Sequence, residues 1–352
     1  MTFLIFVDTT LQMSDQIPTL KAIADKLNFS VSTVSRALSN HPRIGLRTRE
    51  LVQKTAKELG YEPNPKAIFF KQQKSFVIGV IMPSIREEFF SQAISGMETA
   101  AMEQHYTILF GQSFDNLERE MKVVETMKQQ RVDGLIISLA KETNKYDHLL
   151  ALEKYNIPIV YFDRVPNIDK THKVFCNLYK GTVDMVGWLF NKGYRRIALI
   201  NGPDKLSASK ERLNGYIEGV SKQKLKVDMQ LVETTDFSKD STQRAMKKLL
   251  ALKNPPTAVI TFNDYVHMDA VQYANKQHIE VNKEMAFVSY ANLPITSYTA
   301  YPPMVSVEQY PYSQGLKAME MMIHLLNQKT DQATAAQFLT EEIRPSLVAY
   351  LQ

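Results

Sequence analysis

Near the start of the chain, apolar residues recur three times at helical spacing. Leu20, Ile23, Ala24 and Leu27 stand at i, i+3, i+4 and i+7, one buried stripe of an α-helix, with Thr19 in place to cap it. After Ser30, another capping type, Val31, Val34, Ala37 and Leu38 again fall on one side, leaving Ser32, Thr33, Ser35 and Arg36 on the other. Asn28, Phe29 and Ser30 are too short a link for an antiparallel return, so the pattern predicts a steep crossing, a helix-turn-helix. "RTRELVQKTAKELGY" predicts a third helix on Leu51, Val52, Thr55 and Leu59, stopped by Gly60. The outward Ser, Thr and Arg read either as solvated helix surface or as a face that meets hydrogen-bonding groups.

From Phe76 onward the period changes. Apolar runs of strand length ("FVIGVIMPS", "YTILFGQ", "DGLIISL", "PIVYFD", "HKVFCN", "RIALING", "AVITFN", "MAFVSYA") alternate with helical patterns near 89–104, 116–130, 143–155, 179–192, 208–223 and 264–277. Strands that are apolar throughout imply sheets covered on both faces, hence parallel α/β layers. About ten strands are more than one core of ordinary size holds, which predicts two sheets.

The length, 352 residues, fits two or three domains. A single cysteine, Cys176, excludes an internal disulfide framework and fits a reducing compartment. No apolar run approaches the roughly 20 residues of a membrane span. Residues 1–12, "MTFLIFVDTTLQ", carry no Lys or Arg and lack a small-residue cleavage signature, so no export is expected; 1–17 read as an N-terminal extension, of which 1–12, before Met13, are expected to be no part of the working protein.

Charge singles out the head of the chain. Met13 to Lys74 holds eleven Lys+Arg against five Asp+Glu, a net of +6, so the chain total of +5 leaves −1 for everything else. A protein held on DNA needs cations against phosphates where its reading helix docks. Between head and body, "YEPNPKAIFFKQQKS" offers Asn64 and Pro65 as a cap and first-turn pair, predicting a short helix to about Lys71. At about two turns it would form only when something packs on it. It reads either as a DNA-linked hinge or as a linker anchored on the body.

The ordered matches "VSTVSRALS", "TRELVQKTAKELGYEPNP", "IGVIMPS", "VDGLIIS", "IPIVYFDR", "GYRRIALINGP", "RLNGY", "FNDYVHMDAV" and "RPSLVAY" resemble the lactose-repressor (LacI/GalR) family of bacterial transcription regulators. The resemblance implies an N-terminal all-α helix-turn-helix domain (18–62), a hinge (63–75) and an α/β two-lobed body like periplasmic binding proteins (76–352). Lobe 1 would be about 76–175 and 308–338, and lobe 2 about 176–304 and 339–352. It implies a cytoplasmic homodimeric repressor on pseudo-palindromic double-stranded operator DNA. By position Val31, Ser32 and Arg36 look base-reading, Arg36 forking onto guanine, while Thr33 and Ser35 look like phosphate anchors and Thr19 a further DNA contact. In the hinge, Asn64, Ala67 and Lys71 match, and Phe70 takes the place of the usual minor-groove leucine.

For the body the resemblance implies a small-molecule effector, a sugar or nucleoside-like carbohydrate, in the cleft. Ser84, Phe89, Asp163, Arg164, Arg212 and Asp264 would line it; Arg212 reads alternatively as an interlobe ion pair. Where relatives usually have "GFDD" this chain has "SYAN", so Ala291 replaces a carboxylate and Tyr290 and Asn292 are left as candidates. No metal, cofactor or catalytic residue is expected. G-x-G-x-x-G, Walker, H-E-x-x-H and G-x-S-x-G patterns are absent, and His267 reads as a packed or surface residue rather than a base. The rival reading is a sugar-binding protein without DNA regulation, which should carry an export signal and lack the basic head.

Overall fold

A computed structural model describes residues 18–62, 74–328 and 338–350. The extension 1–17 and the hinge residues Asn64, Ala67, Phe70 and Lys71 lie outside the described residues. Two compact units divide between Lys74 and Ser75.

The first unit consists, among the described residues, of α1 (Leu20–Leu27), α2 (Val31–Leu38) and α3 (Leu46–Glu58). Thr19 Oγ1 accepts the Ala22 N–H at 3.3 Å and starts α1. Asn28, at φ +53°, ends it in the left-handed region, which a short polar side chain tolerates. Ser30 then caps α2 by accepting the Thr33 N–H at 3.1 Å, so one short segment stops one helix and starts the next. Ile23, Ala24, Val34, Ala37, Val52 and Ala56 form the shared core. Two residues expected on buried stripes face outward instead: Val31 is 45% exposed, as is Leu51. Val31 is the first residue of α2 and lies beyond the edge of so small a core.

The second unit contains, among the described residues, two six-stranded sheets. The first is built from β1 (Val77–Met82), β2 (Thr107–Gln112), β3 (Gly134–Ile137), β4 (Ile159–Phe162), β5 (His172–Cys176) and β11 (Thr340–Ile343), in the order β11-β5-β4-β3-β1-β2, all parallel. The second comprises β6 (Ile197–Asn201), β7 (Val232–Thr234), β8 (Ala258–Thr261), β9 (Ala286–Tyr290), β10 (Val305–Glu308) and β12 (Ser346–Ala349), in the order β12-β10-β9-β8-β6-β7, with only β12 antiparallel. The helices α4 (Glu88–Glu103), α5 (Leu117–Gln129), α6 (Asp147–Leu150), α7 (Leu178–Asn191), α8 (Ser207–Lys222), α9 (Lys239–Leu250), α10 (Asp264–Lys276) and α11 (Pro311–Asn327) cover the sheets.

Strand membership moves the expected lobe boundaries. β10 extends lobe 2 to Glu308, and β11 pairs with β5, so Thr340–Ile343 belongs to lobe 1 and the chain returns to lobe 2 only through Arg344 and Pro345. Asn177, Gln309–Tyr310 and Arg344–Pro345 are the three crossings. They are stapled together: Glu342 accepts from Asn177 Nδ2 at 2.9 Å and Lys180 Nζ at 3.0 Å, and Tyr310 Oη bonds Ser346 Oγ at 2.8 Å.

The helix expected over 143–155 is shorter, α6 followed by a 3-10 turn at Ala151–Tyr155. Its beginning is replaced by a loop tied to buried Glu120, which accepts from Ala140 N, Thr143 Oγ1 and His148 Nε2. α4 and α11 pack backbone to backbone, for a Cβ on Gly315 would stand 1.9 Å from the Ala93 carbonyl oxygen.

Candidate functional site

On α2 the core takes Val34 and Ala37, which leaves Val31, Ser32 and Arg36 exposed and Thr33 and Ser35 half-buried beside them. Ser30 Oγ bonds both Ser32 Oγ (2.9 Å) and Thr33 Oγ1 (2.8 Å), which orders the hydroxyls at the start of the helix. Those hydroxyls sit where α2 presents free N–H groups, and the positive end of its dipole favours phosphate. Thr19 is occupied as the α1 cap acceptor and keeps its hydroxyl proton for an outside partner. Arg43 and Arg47, exposed around the start of α3, add cations that helical periodicity alone did not single out.

The cleft lies at the carboxyl ends of both sheets, where the strand order reverses between β1 and β3 and between β6 and β8; open parallel sheets bind ligands at such points. Lobe 1 supplies Glu87, Phe89 and Phe90 at the start of α4 and Asp163 and Arg164 after β4. Lobe 2 supplies Arg212 from α8, Phe262, Asn263 and Tyr265 around the start of α10, and Ala291 and Leu293 after β9. Tyr265 Oη reaches the Arg86 carbonyl of lobe 1 at 3.5 Å. The space between the walls is about 50 Å³, room for about four waters at ~10–15 Å³ each.

The two guanidinium groups differ. Arg164 forms an ion pair with Asp115, and its carbon lies 5.7 Å from the centre of the Phe90 ring. Burial draws its basicity down, but Asp115, Glu87 and Asp163 outweigh that and hold it above its ordinary value. Arg212 is sandwiched between Phe262 (3.9 Å) and Tyr290 (4.4 Å) and is 3% exposed. Burial pulls its basicity down. It donates to the Ala208 carbonyl at 3.3 Å, while its Nε has no partner. Among the described residues no carboxylate stands within ion-pair distance of Arg212, so the interlobe ion pair considered from sequence is not formed. Burial raises both Glu87 and Asp163, Arg164 acting against it in each.

Phe89, Asp163, Arg164 and Arg212 therefore line the cleft as expected from sequence. The other four sit elsewhere. Ser84 accepts the Arg86 N–H at 3.2 Å within the turn after β1. Asp264 is fully buried, accepting the Leu293 N–H at 2.7 Å, and burial pushes its carboxyl up to about 7. Tyr290 lies beneath Arg212 with its hydroxyl on Thr182 at 2.6 Å. Asn292 is turned to Glu308 and Tyr350, both at 2.6 Å. Glu87, Phe90, Phe262, Asn263, Tyr265 and Leu293 were missed, although most adjoin residues that were singled out. His267 is packed, its Nε2 2.9 Å from the Tyr301 carbonyl.

Two family descriptions match this chain: "Bacterial regulatory proteins, lacI family" over residues 19–64 and "Periplasmic binding proteins and sugar binding domain of LacI family" over 75–340. The chain belongs to the LacI family. It is a DNA-binding transcription regulator with an effector-binding body, not an enzyme; LacI-family members bind operator DNA and small-molecule effectors and are dimeric. The HTH-type transcriptional repressor CytR of Escherichia coli (strain K12) is 29% identical over 317 residues, covering 87% of this chain and 89% of that one. The repressor PurR of Escherichia coli O1:K1 / APEC is 27% identical over 332 residues, covering 94% and 95%. The fold matches the Lac repressor dimer bound to operator and the anti-inducer ONPF with a TM-score of 0.80 at 22% identity, over 96% of this chain and all of that one. It also matches the transcriptional regulator CelR in complex with cellobiose (TM-score 0.70, 23% identity, 94% and 98% covered). Among the described residues of this LacI-family chain, no helix is long and apolar enough to cross a membrane.

Proposed function

We propose that the chain is a cytoplasmic transcriptional repressor that acts as a homodimer on pseudo-palindromic operator DNA and is controlled by a sugar or nucleoside-like molecule held between its lobes. The observation that carries this reading is the outer face of α2, where Val31, Ser32 and Arg36 face outward from a small core. Arg36 forks onto guanine O6 and N7, Ser32 accepts or donates to a base edge, and Val31 meets a thymine methyl. Thr19, Thr33 and Ser35 hold phosphates and fix the register.

In the body, Arg212 and Asp163 supply charged hydrogen bonds and Phe89 an apolar face, a mixture suited to a small polar ring. Tyr290 and Asp264 act from behind, Tyr290 by holding the Arg212 plane and Asp264 by pinning Leu293 to α10. A ligand that binds one lobe arrangement more tightly shifts the population toward it, and with it the operator affinity. Hinge residues Asn64, Ala67, Phe70 and Lys71 carry that shift to the DNA. Selection from random duplex DNA with the full chain tests the reading: an inverted repeat should be enriched, its half-sites about one helical turn apart. Failure to enrich any sequence, with uniform weak binding throughout, would overturn it.

A further inference from the structure

Arg212 is the least compensated charge in the cleft. Its guanidinium is buried between two rings, and among the described residues its Nε has no partner and its hydrogen bond, to Ala208, is long. A buried cation without a counter-charge is costly, and the cost is removed when an anion arrives. Arg164, by contrast, already has Asp115.

The wall that shares the cleft with Arg212 withholds a carboxylate at a position suited to one. Ala291 stands at φ +91° and Asn292 at φ +52°. Asp and Asn tolerate positive φ better than alanine does, so an acid at 291 would ease the backbone and add a carboxylate to the lining that Arg212 shares. The chain keeps a methyl group there. The polar side chain next to it is spent elsewhere, on Glu308 and Tyr350.

Resting on the reading of the cleft as a sugar site, we infer that the effector is an acidic sugar, one whose carboxylate or phosphate pairs with Arg212 while its hydroxyls donate to Asp163 and Glu87. The division of charge fits. Lobe 2 presents a cation that Asp163 and Glu211 act on only from beyond ion-pair distance, and lobe 1 presents carboxyls that take hydroxyl donors.

Isothermal titration of the full chain with matched pairs tests this: D-glucose against D-glucuronate and glucose 6-phosphate, and D-ribose against ribose 5-phosphate. At least one acidic member should bind tenfold or more tightly than its neutral partner. The glucuronate and phosphate arms say which anion the site takes. The preference should collapse in Arg212→Met and, where that variant fails to fold, in Ala291→Asp, which places the missing carboxylate in the wall. A neutral sugar that binds as tightly as its acidic partner overturns the inference and leaves the sugar-controlled regulator standing. Binding of no compound in the panel overturns it too, whereas the regulator reading falls only if no operator sequence is selected.

Discussion

Replacing Arg36 with alanine isolates base reading from folding. Arg36 is exposed on α2, one turn beyond Ser32, and the residues that hold the helix in place, Val34 and Ala37, point to the core. Alanine is at least as good a helix former, and the Ser30 cap is untouched, so unit 1 should keep its stability. A bidentate arginine contact to guanine discriminates by ~1–3 kcal/mol, so two symmetry-related copies in a dimer are worth ~2–6 kcal/mol. At tenfold per ~1.4 kcal/mol, operator affinity should fall by roughly 30-fold or more, with random-sequence affinity almost unchanged. Fluorescence anisotropy with selected and scrambled duplexes, each over a range of salt, reads both numbers. A phosphate-binding arginine behaves otherwise: the two affinities fall together and the salt slope drops by about 0.9 for each phosphate no longer neutralised. That result would refute the assignment of Arg36 to a base edge.

Gly315→Ala drives a Cβ to 1.9 Å from the Ala93 carbonyl oxygen, and overpacking of this kind costs ~1–3 kcal/mol or more; the melting temperature of the body should fall by several degrees, and no change would mean that α4 and α11 are not in backbone contact. Asp264 has a folded pKa of about 7 against an ordinary 3.8, so the native state binds the extra proton and stability drains away as pH rises from about 4 to 7, then levels off. The stability of Asp264→Asn relative to wild type should therefore climb over that window and stay flat above it; thermal melts that show no such trend would place Asp264 in a wetter setting. Phe70→Ala, in the hinge, should keep ligand affinity and dimerisation but weaken operator binding, reduce DNA bending and shrink the ligand's effect. If it lowers the melting temperature of the body and leaves bending intact, Phe70 is an anchor instead of a wedge.

The helix-turn-helix was legible because water on one side and a tiny core on the other impose a strict period on Ile23, Val34, Ala37 and Val52. Strands such as β3 and β8 were legible as continuous apolar runs. α9 was not singled out, although Thr242, Ala245, Met246 and Leu249 carry a helical stripe and are all buried. The cleft was harder. Phe89 and Arg212 were named by the family resemblance, and both line the cleft. Asp115 was out of reach, since its partner Arg164 is 49 residues away and only folding brings them together. Tyr290 and Asn292 were placed in the cleft because they stand where the family resemblance puts "GFDD". The turn at Ala291 decides otherwise, leaving Tyr290 facing the core and Asn292 facing Glu308.

The account stands on coupling between the cleft and α2, and reciprocity tests it most directly. Operator affinity of the full chain is measured with and without each member of a panel of neutral and acidic sugars and nucleosides, and the affinity of any active compound is then measured with and without operator. The account predicts at least one compound that changes operator affinity by about fivefold or more, with operator changing the affinity for that compound by the same factor. A compound that binds the cleft tightly yet leaves operator affinity unchanged, with no other compound in the panel shifting it, would contradict the account.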